Sequence, residues 1–215
     1  MKTIVIPQFY RGPSGQKGLY NRQEVGLARA YAALGCRAVV LYPAVGEAAP
    51  QVEQPEPNVK ICYMPAAALG VQAFYKSWQI LLDEKADAVH VMGDNSLGVP
   101  GLYRFCKKHD IVFFSQLGAL KSTSNRAAVR WVMDLLLRRN LAVYRQTPTY
   151  AKTPAVAAEL ESLGVHCAGL MPVGLDTAII PAIPGGKPEI RRALKIHEQA
   201  KVFAFVGRLD AYKQP

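Results

Sequence analysis

Short runs of aliphatic, β-branched and aromatic residues recur along the chain, most of them followed by a stretch of helical length. They lie at residues 3–6, 38–42, 59–64, 88–92, 111–114, 141–144 and 167–171, and helices are expected at 21–34, 71–85, 100–108, 125–139 and 153–163. Strands apolar on both faces that alternate with helices bury themselves in a parallel sheet covered on both sides. The expected fold class is therefore α/β, a doubly wound parallel sheet. Asn21 reads as an N-cap with Glu24 completing a capping box, and Gly35 as the residue that ends the first helix. Residues 44–58, polar and aperiodic, read as a surface loop.

After residue 171 the composition changes. Pro172, Pro181, Pro184 and Pro188, with Gly174, Gly185 and Gly186, have the signature of a linker. A short helix at 189–195 and a last apolar run at 202–206 follow, broken by Gly207 and a basic loop. The expected organisation is one complete domain over 1–172, a linker and short helix over 173–200, and the first strand and loop of an unfinished second domain over 201–215.

Half the residues are hydrophobic and 20% are charged, as in ordinary globular proteins. The apolar run after Lys2 and Thr3 stops at Pro7, too short for a secretory signal, so a cytoplasmic location is expected. Cys36, Cys62, Cys106 and Cys167 are scattered and read as reduced thiols. His90, His109, His166 and His197 lack metal-ligand spacing, and no metal is expected. The net charge of +10 calls for anionic partners. No nucleic-acid motif appears, which leaves a membrane surface and phosphorylated ligands.

Four stretches could carry chemistry. The loop 11–18, RGPSGQKG, places glycines before a helix N-terminus, where backbone can approach a phosphate. Its GxxGxxG spacing is not the dinucleotide fingerprint, and no carboxylate ends the next strand to hold a ribose. A turn chosen for geometry alone explains it as well. Asp94 and Asn95 sit at a strand end where a cleft is expected, and Asp94 could bind a sugar hydroxyl or simply close a turn. Residues 121–152 carry seven cations against Asp134 alone. On the helix there, Val129, Val132, Met133 and Leu136 are expected to face the core, with Arg130 and Arg138 opposite and Trp131 beside them. That face suits an anionic membrane, or is a solvated charge ladder. Finally, Arg208 and Lys213 follow a strand, where they could neutralise a departing diphosphate or be plain surface charge.

Taken together, these stretches resemble the GT-B glycosyltransferases, and among them the retaining family 4. The opening strand, glycine loop and helix ending LARAYAALG are similar to that family's start, although its paired glycines are here the separate Gly15 and Gly18, and Cys36 stands after Gly35 where the family has His. Residues 171–176, MPVGLD, are similar to its Pro-Asn-Gly-Val-Asp segment, and Phe205 to Leu209 with Lys213 resemble its entry into the second domain. The resemblance implies a Rossmann-like N-terminal domain of a GT-B glycosyltransferase, and transfer of a sugar from a nucleoside diphosphate sugar to a saccharide or lipid-linked acceptor. The implied setting is cell-surface polysaccharide or glycolipid synthesis, which would suit the peripheral contact with the inner face of the membrane that Arg130, Trp131 and Arg138 themselves suggest.

By the same resemblance, Arg208, Lys213, Gly15 and Gly18 hold the donor diphosphate, and neither metal nor other cofactor is needed. Asp94, Asn95 and Gln116 are the acceptor-binding candidates, with Asp94 and Gln116 the candidates for catalysis. Gln116 falls near the place where many members carry a His, and it cannot titrate. The family's Glu-x7-Glu motif would lie beyond Pro215, so residues 1–215 alone are expected to be inactive. The rival reading is a non-catalytic doubly wound module that binds a sugar or nucleotide.

Overall fold

The computed structural model describes residues 1–10, 22–47, 49–70, 72–93, 96–118, 120, 126–177 and 185–203. The chain divides into two compact units, Met1–Leu175 and Asp176–Pro215.

The first unit is a nine-stranded sheet. β1 (Thr3–Pro7) is buried along its whole length and pairs in parallel with β2 (Arg37–Val45) and β6 (Ala88–Met92). Outward from β2 come β4 (Val59–Leu69), parallel, and β3 (Gln51–Glu56), antiparallel at the edge. β5 (Gln72–Tyr75) pairs antiparallel with the far half of β4. On the other side β6 is followed by β7 (Val112–Leu117), β8 (Thr149–Ala151) and β9 (Cys167–Leu170), all parallel.

Two apolar layers sandwich the sheet. One packs Val5, Val39, Leu41, Val89, Val91 and Phe113 against α3 (Val99–Lys108), α4 (Ala127–Tyr144) and α5 (Pro154–Ser162). The short α2 (Ile80–Asp83) adds Leu81 to it. The opposite layer packs Ile4, Ile6, Ala38, Val40 and Ile61 against Val25 and Ala28 of α1 (Gln23–Ala33). Helices on both faces make this the doubly wound, Rossmann-like α/β fold that the strand–helix alternation implies.

Local signals place several boundaries. Thr153 caps α5 by accepting the Val156 amide at 3.3 Å, with Pro154 in the first turn, a device worth about 1 kcal/mol. Gly35, at φ +80°, closes α1 in the left-handed conformation that favours glycine. The N-cap of α1 is Arg22, and Glu24 does not complete a capping box but turns into the interior.

Four local expectations change. Residues 44–58 hold the end of β2 and the edge strand β3, whose exposed, Glu- and Pro-bearing sequence blunts the sheet edge rather than marking a loop. Within the helix expected at 71–85, residues 72–75 form β5 and residues 80–83 the short α2. There Phe9, Tyr75 and Trp78 pack as an aromatic cluster, and the Tyr75 hydroxyl donates to the Gln8 and Leu41 carbonyls, holding the segment extended. Residues 141–144, expected as a strand, are the last turn of α4, where Leu137, Asn140, Val143 and Tyr144 recur at helical spacing on the buried face. Val129 and Val132, expected in the core, are exposed.

In the second unit, α6 (Gly186–Ala193) is closed by Arg191, whose guanidinium donates to the carbonyls of His197, Glu198 and Ala200.

Candidate functional site

The strand order reverses at the middle of the sheet. From β1 the chain builds β2 and β4 on one side and then returns to build β6 to β9 on the other. The crevice beyond the carboxyl ends of β1 and β6 is the topological switch point, where open α/β sheets place their ligands.

Polar groups converge at this end in an otherwise apolar sheet. Gln8, directly after β1, donates through Nε2 to Glu24 Oε1 at 2.7 Å. Its Oε1 accepts the Phe9 amide at 2.7 Å and the Tyr10 amide at 3.2 Å. Its own amide donates to the Leu41 carbonyl at 2.8 Å. Glu24, only 5% exposed, accepts a second hydrogen bond from the Tyr42 hydroxyl at 3.1 Å. Burial raises the Glu24 pKa; its hydrogen bonds and the charge of Lys152 act against that rise without cancelling it. Burial likewise pushes the Tyr42 phenol up, and the neighbouring Glu24 adds to the shift. Arg22 lies over the Tyr42 ring and donates to Glu53 and to the Tyr63 hydroxyl, both at 3.3 Å.

The loop after β6 is held from two sides. The Asn140 side chain donates to the Ser96 carbonyl at 2.7 Å, and the Leu97 amide donates to Gln72 Oε1 at 3.2 Å. Within β6, fully buried His90 stacks on Phe114 at 4.5 Å and shares a hydrogen bond with the Tyr31 hydroxyl at 2.9 Å. Burial, and after it the charge of Lys152, lower its pKa to about 4, so His90 is neutral at physiological pH. Its Nε2 has no partner among the described residues.

Gln116, the acceptor candidate in β7, lies opposite Met92 and Tyr150 and is buried. Its Nε2 donates to the Met171 carbonyl at 2.6 Å and faces that of Pro172 at 3.3 Å. The amide donors are therefore committed to the segment leaving β9, which the Met171 amide also ties to the Ala151 carbonyl at 2.8 Å. Gln116 Oε1 has no partner among the described residues.

Arg130, Trp131 and Arg138 all lie on the exposed side of α4. Trp131, Leu135 and Arg138 follow the i, i+4, i+7 spacing of one stripe. Gly15, Gly18, Asp94, Asn95, Arg208 and Lys213 lie outside the described residues. Among the described residues no group of three or more His, Cys, Asp or Glu could hold a metal ion, and no helix is long and apolar enough to cross a membrane.

Sequence reading missed Gln8, Glu24, His90 and Lys152 as members of this end of the sheet. Glu24 left a signal: it shares an i, i+4 stripe with buried Ala28, an acid on an apolar face. The other three left none, since a strand-end Gln or Lys is ordinary and His90 interrupts no pattern.

No protein-family model matches the sequence, and no curated protein does. Among solved structures, sucrose-phosphate synthase from Thermosynechococcus elongatus aligns with a TM-score of 0.60 at 13% identity, over 92% of this chain and 53% of that one. This chain thus spans about half the length of that structure. A second structure described as sucrose-phosphate synthase from the same organism aligns at 12% identity over 90% of this chain and 96% of that one, with a TM-score of 0.48 that carries no weight. At such identity the first match speaks to architecture alone, and that architecture is the Rossmann-like α/β fold.

Proposed function

We propose that this chain is the acceptor-binding part of a glycosyltransferase that moves a sugar from a nucleoside diphosphate sugar to a saccharide or lipid-linked acceptor. The observation that carries the reading is the convergence of buried polar groups at the switch point of a glycosyltransferase-like fold. The acceptor occupies the crevice beyond β1 and β6, with Asp94 and Asn95 as hydroxyl partners. Gln116 helps by holding the segment that leaves β9. Arg208 and Lys213, with the glycines at 15 and 18, grip the donor diphosphate and stabilise the negative charge that grows as it leaves. No metal or organic cofactor takes part in this scheme.

The exposed stripe of α4 supports a second element of the reading, contact with an anionic membrane surface. Trp131 is 69% and Val132 46% exposed, beside the exposed Arg130, Arg138 and Arg139. An aromatic and aliphatic patch flanked by arginines fits a headgroup boundary. A lipid-linked acceptor in polysaccharide or glycolipid synthesis at the inner face of the membrane would suit that placement.

The test is sugar transfer by the full gene product, supplied with labelled UDP-, GDP- and ADP-sugars and a panel of saccharide acceptors. Transfer that R208A or K213A lowers about tenfold or more supports the reading. A full gene product that binds saccharide and transfers nothing points to the rival, a non-catalytic binding module.

A further inference from the structure

The first turn of α1 sets a buried carboxylate, Glu24, beside Val25, whose layer also holds Ala28, Ile4, Ile6, Ala38 and Val40. An apolar residue would fill that place without the cost of stripping water from a charge. The carboxylate is fully engaged instead. Gln8 donates to one oxygen at 2.7 Å and the Tyr42 hydroxyl to the other at 3.1 Å. These bonds tie the start of α1 to β2 and to the exit of β1.

Gln8 hands the constraint on. With its Nε2 held by Glu24, its Oε1 is aimed at its own chain and accepts the Phe9 and Tyr10 amides at 2.7 and 3.2 Å. The segment so turned runs along β5: the Ala73 amide donates to the Phe9 carbonyl at 2.7 Å, and Tyr10 pairs with Gln72. The Phe9 ring is buried in the opposite apolar layer and lies against Gly98, the N-cap of α3, where an added Cβ would stand 2.7 Å from the ring. Just before that glycine, the Leu97 amide donates to Gln72 Oε1 at 3.2 Å. A path of hydrogen bonds and one ring contact therefore runs from Glu24, over the end of β1, to the loop after β6. Both flanks of the switch-point crevice lie on it.

We propose that Glu24 is a positioning residue for the crevice, acting through Gln8 and Phe9 to hold the segment after β1 and the loop after β6 in one arrangement. Glu24 is too buried to touch a ligand itself, and both its oxygens are taken. A crevice held ready in this way loses less binding free energy to ordering its own walls. The consequence for sugar transfer rests on the transferase reading above; the positioning does not. On that reading the acceptor is the ligand affected, so loss of the relay raises the acceptor KM and leaves kcat nearly unchanged.

Amide exchange followed residue by residue by NMR tests the positioning, in the wild-type chain and in E24L, E24Q, Q8M and V25A. E24L and Q8M should speed exchange of the Phe9, Tyr10 and Leu97 amides about tenfold or more, the effect of losing one well-made hydrogen bond. Wild-type rates should persist in E24Q, because a glutamine at 24 still accepts from Gln8 and can donate to the Tyr42 hydroxyl. V25A removes packing from the same turn and leaves the relay whole, so it should not single out these amides. The proposal falls if Phe9, Tyr10 and Leu97 keep wild-type rates in E24L and Q8M, or if V25A speeds them as much; Glu24 would then be a packing residue. Should E24L not fold, Q8M alone decides, since it cuts Glu24 off from Phe9 with a side chain of similar length. In the full gene product, E24L and Q8M should raise the acceptor KM about tenfold with kcat within about threefold, and E24Q should keep both at wild-type values. A fall in kcat with KM unchanged would overturn the link to acceptor binding. Faster exchange in a gene product that transfers no sugar would leave the positioning role standing and remove the transferase reading.

Discussion

Two buried titratable residues at the carboxyl end of the sheet pull stability in opposite directions as pH changes. Burial lowers the His90 pKa from 6.5 to about 4. As pH falls through 6.5 the unfolded chain takes up a proton that the folded chain refuses, so stability drops between 6.5 and about 4. A shift of this size corresponds to a loss of about 3 kcal/mol at the acid end. Glu24 behaves in the reverse sense. Burial holds its pKa above the ordinary 4.5, so the unfolded carboxyl ionises first and the folded state loses stability as pH rises from 4.5 through the folded value. Single variants separate the two. Urea midpoints measured from about pH 4 to 7 should lose their acid-side fall in His90→Phe, and their decline toward neutral pH in Glu24→Gln. Unchanged slopes in either variant would mean that the residue titrates as it does in an unfolded chain. The His90 role was not legible from the residues alone, and Glu24 showed only as an acid on an apolar helix face. Which way Glu24 turns depends on Gln8 and Tyr42, and His90 is neutral because the folded chain buries it and sets the charge of Lys152 against its protonated form.

At the scale of elements, legibility followed the sharpness of the apolar pattern. β1, the front of β2, β6, α3 and α5 each have flanks or periods that a sequence can display, and they stand close to where the pattern puts them. β3, β5 and β8 did not announce themselves: one is a polar edge, one is held by a tyrosine hydroxyl, and one has only three residues. α4 shows the limit most clearly. Its apolar residues circle the helix, so the period is read correctly while the buried face is not. The face that packs carries Leu137, Val143 and Tyr144, and the other leaves Trp131, Val132 and Leu135 in solvent. That exposure makes the membrane reading testable on this element. Charge reversal by R130E with R138E should lower co-sedimentation with phosphatidylserine-containing vesicles about tenfold or more, since each basic residue near such a surface contributes about 1 kcal/mol. The same double variant should leave the thermal midpoint within a few degrees, because both arginines are exposed. Unchanged sedimentation would make the patch an ordinary solvated face or a surface for some other partner.

At the scale of the whole molecule, the doubly wound α/β class was the part most legible in advance, and the strand order came from the structure. Apolar strands alternating with helices leave few arrangements besides a doubly wound sheet. That order in turn fixes where the crevice lies, since only β1 and β6 are neighbours with the chain departing to opposite sides. The residues that furnish the crevice were harder to foresee, because Gln8, Glu24 and Lys152 come from positions far apart in sequence that only the fold brings to one end of the sheet. The central claim is that this crevice receives the acceptor. Hydrogen–deuterium exchange measured with and without a panel of sugars, each with and without a phosphate group, tests it most directly. The account predicts that a bound sugar slows exchange in peptides covering residues 8–20, 92–98 and 116–120, leaving α6 and the exposed half of α4 unchanged. Slowed exchange confined to α4 or α6, with those three segments unaffected by every sugar, would contradict it.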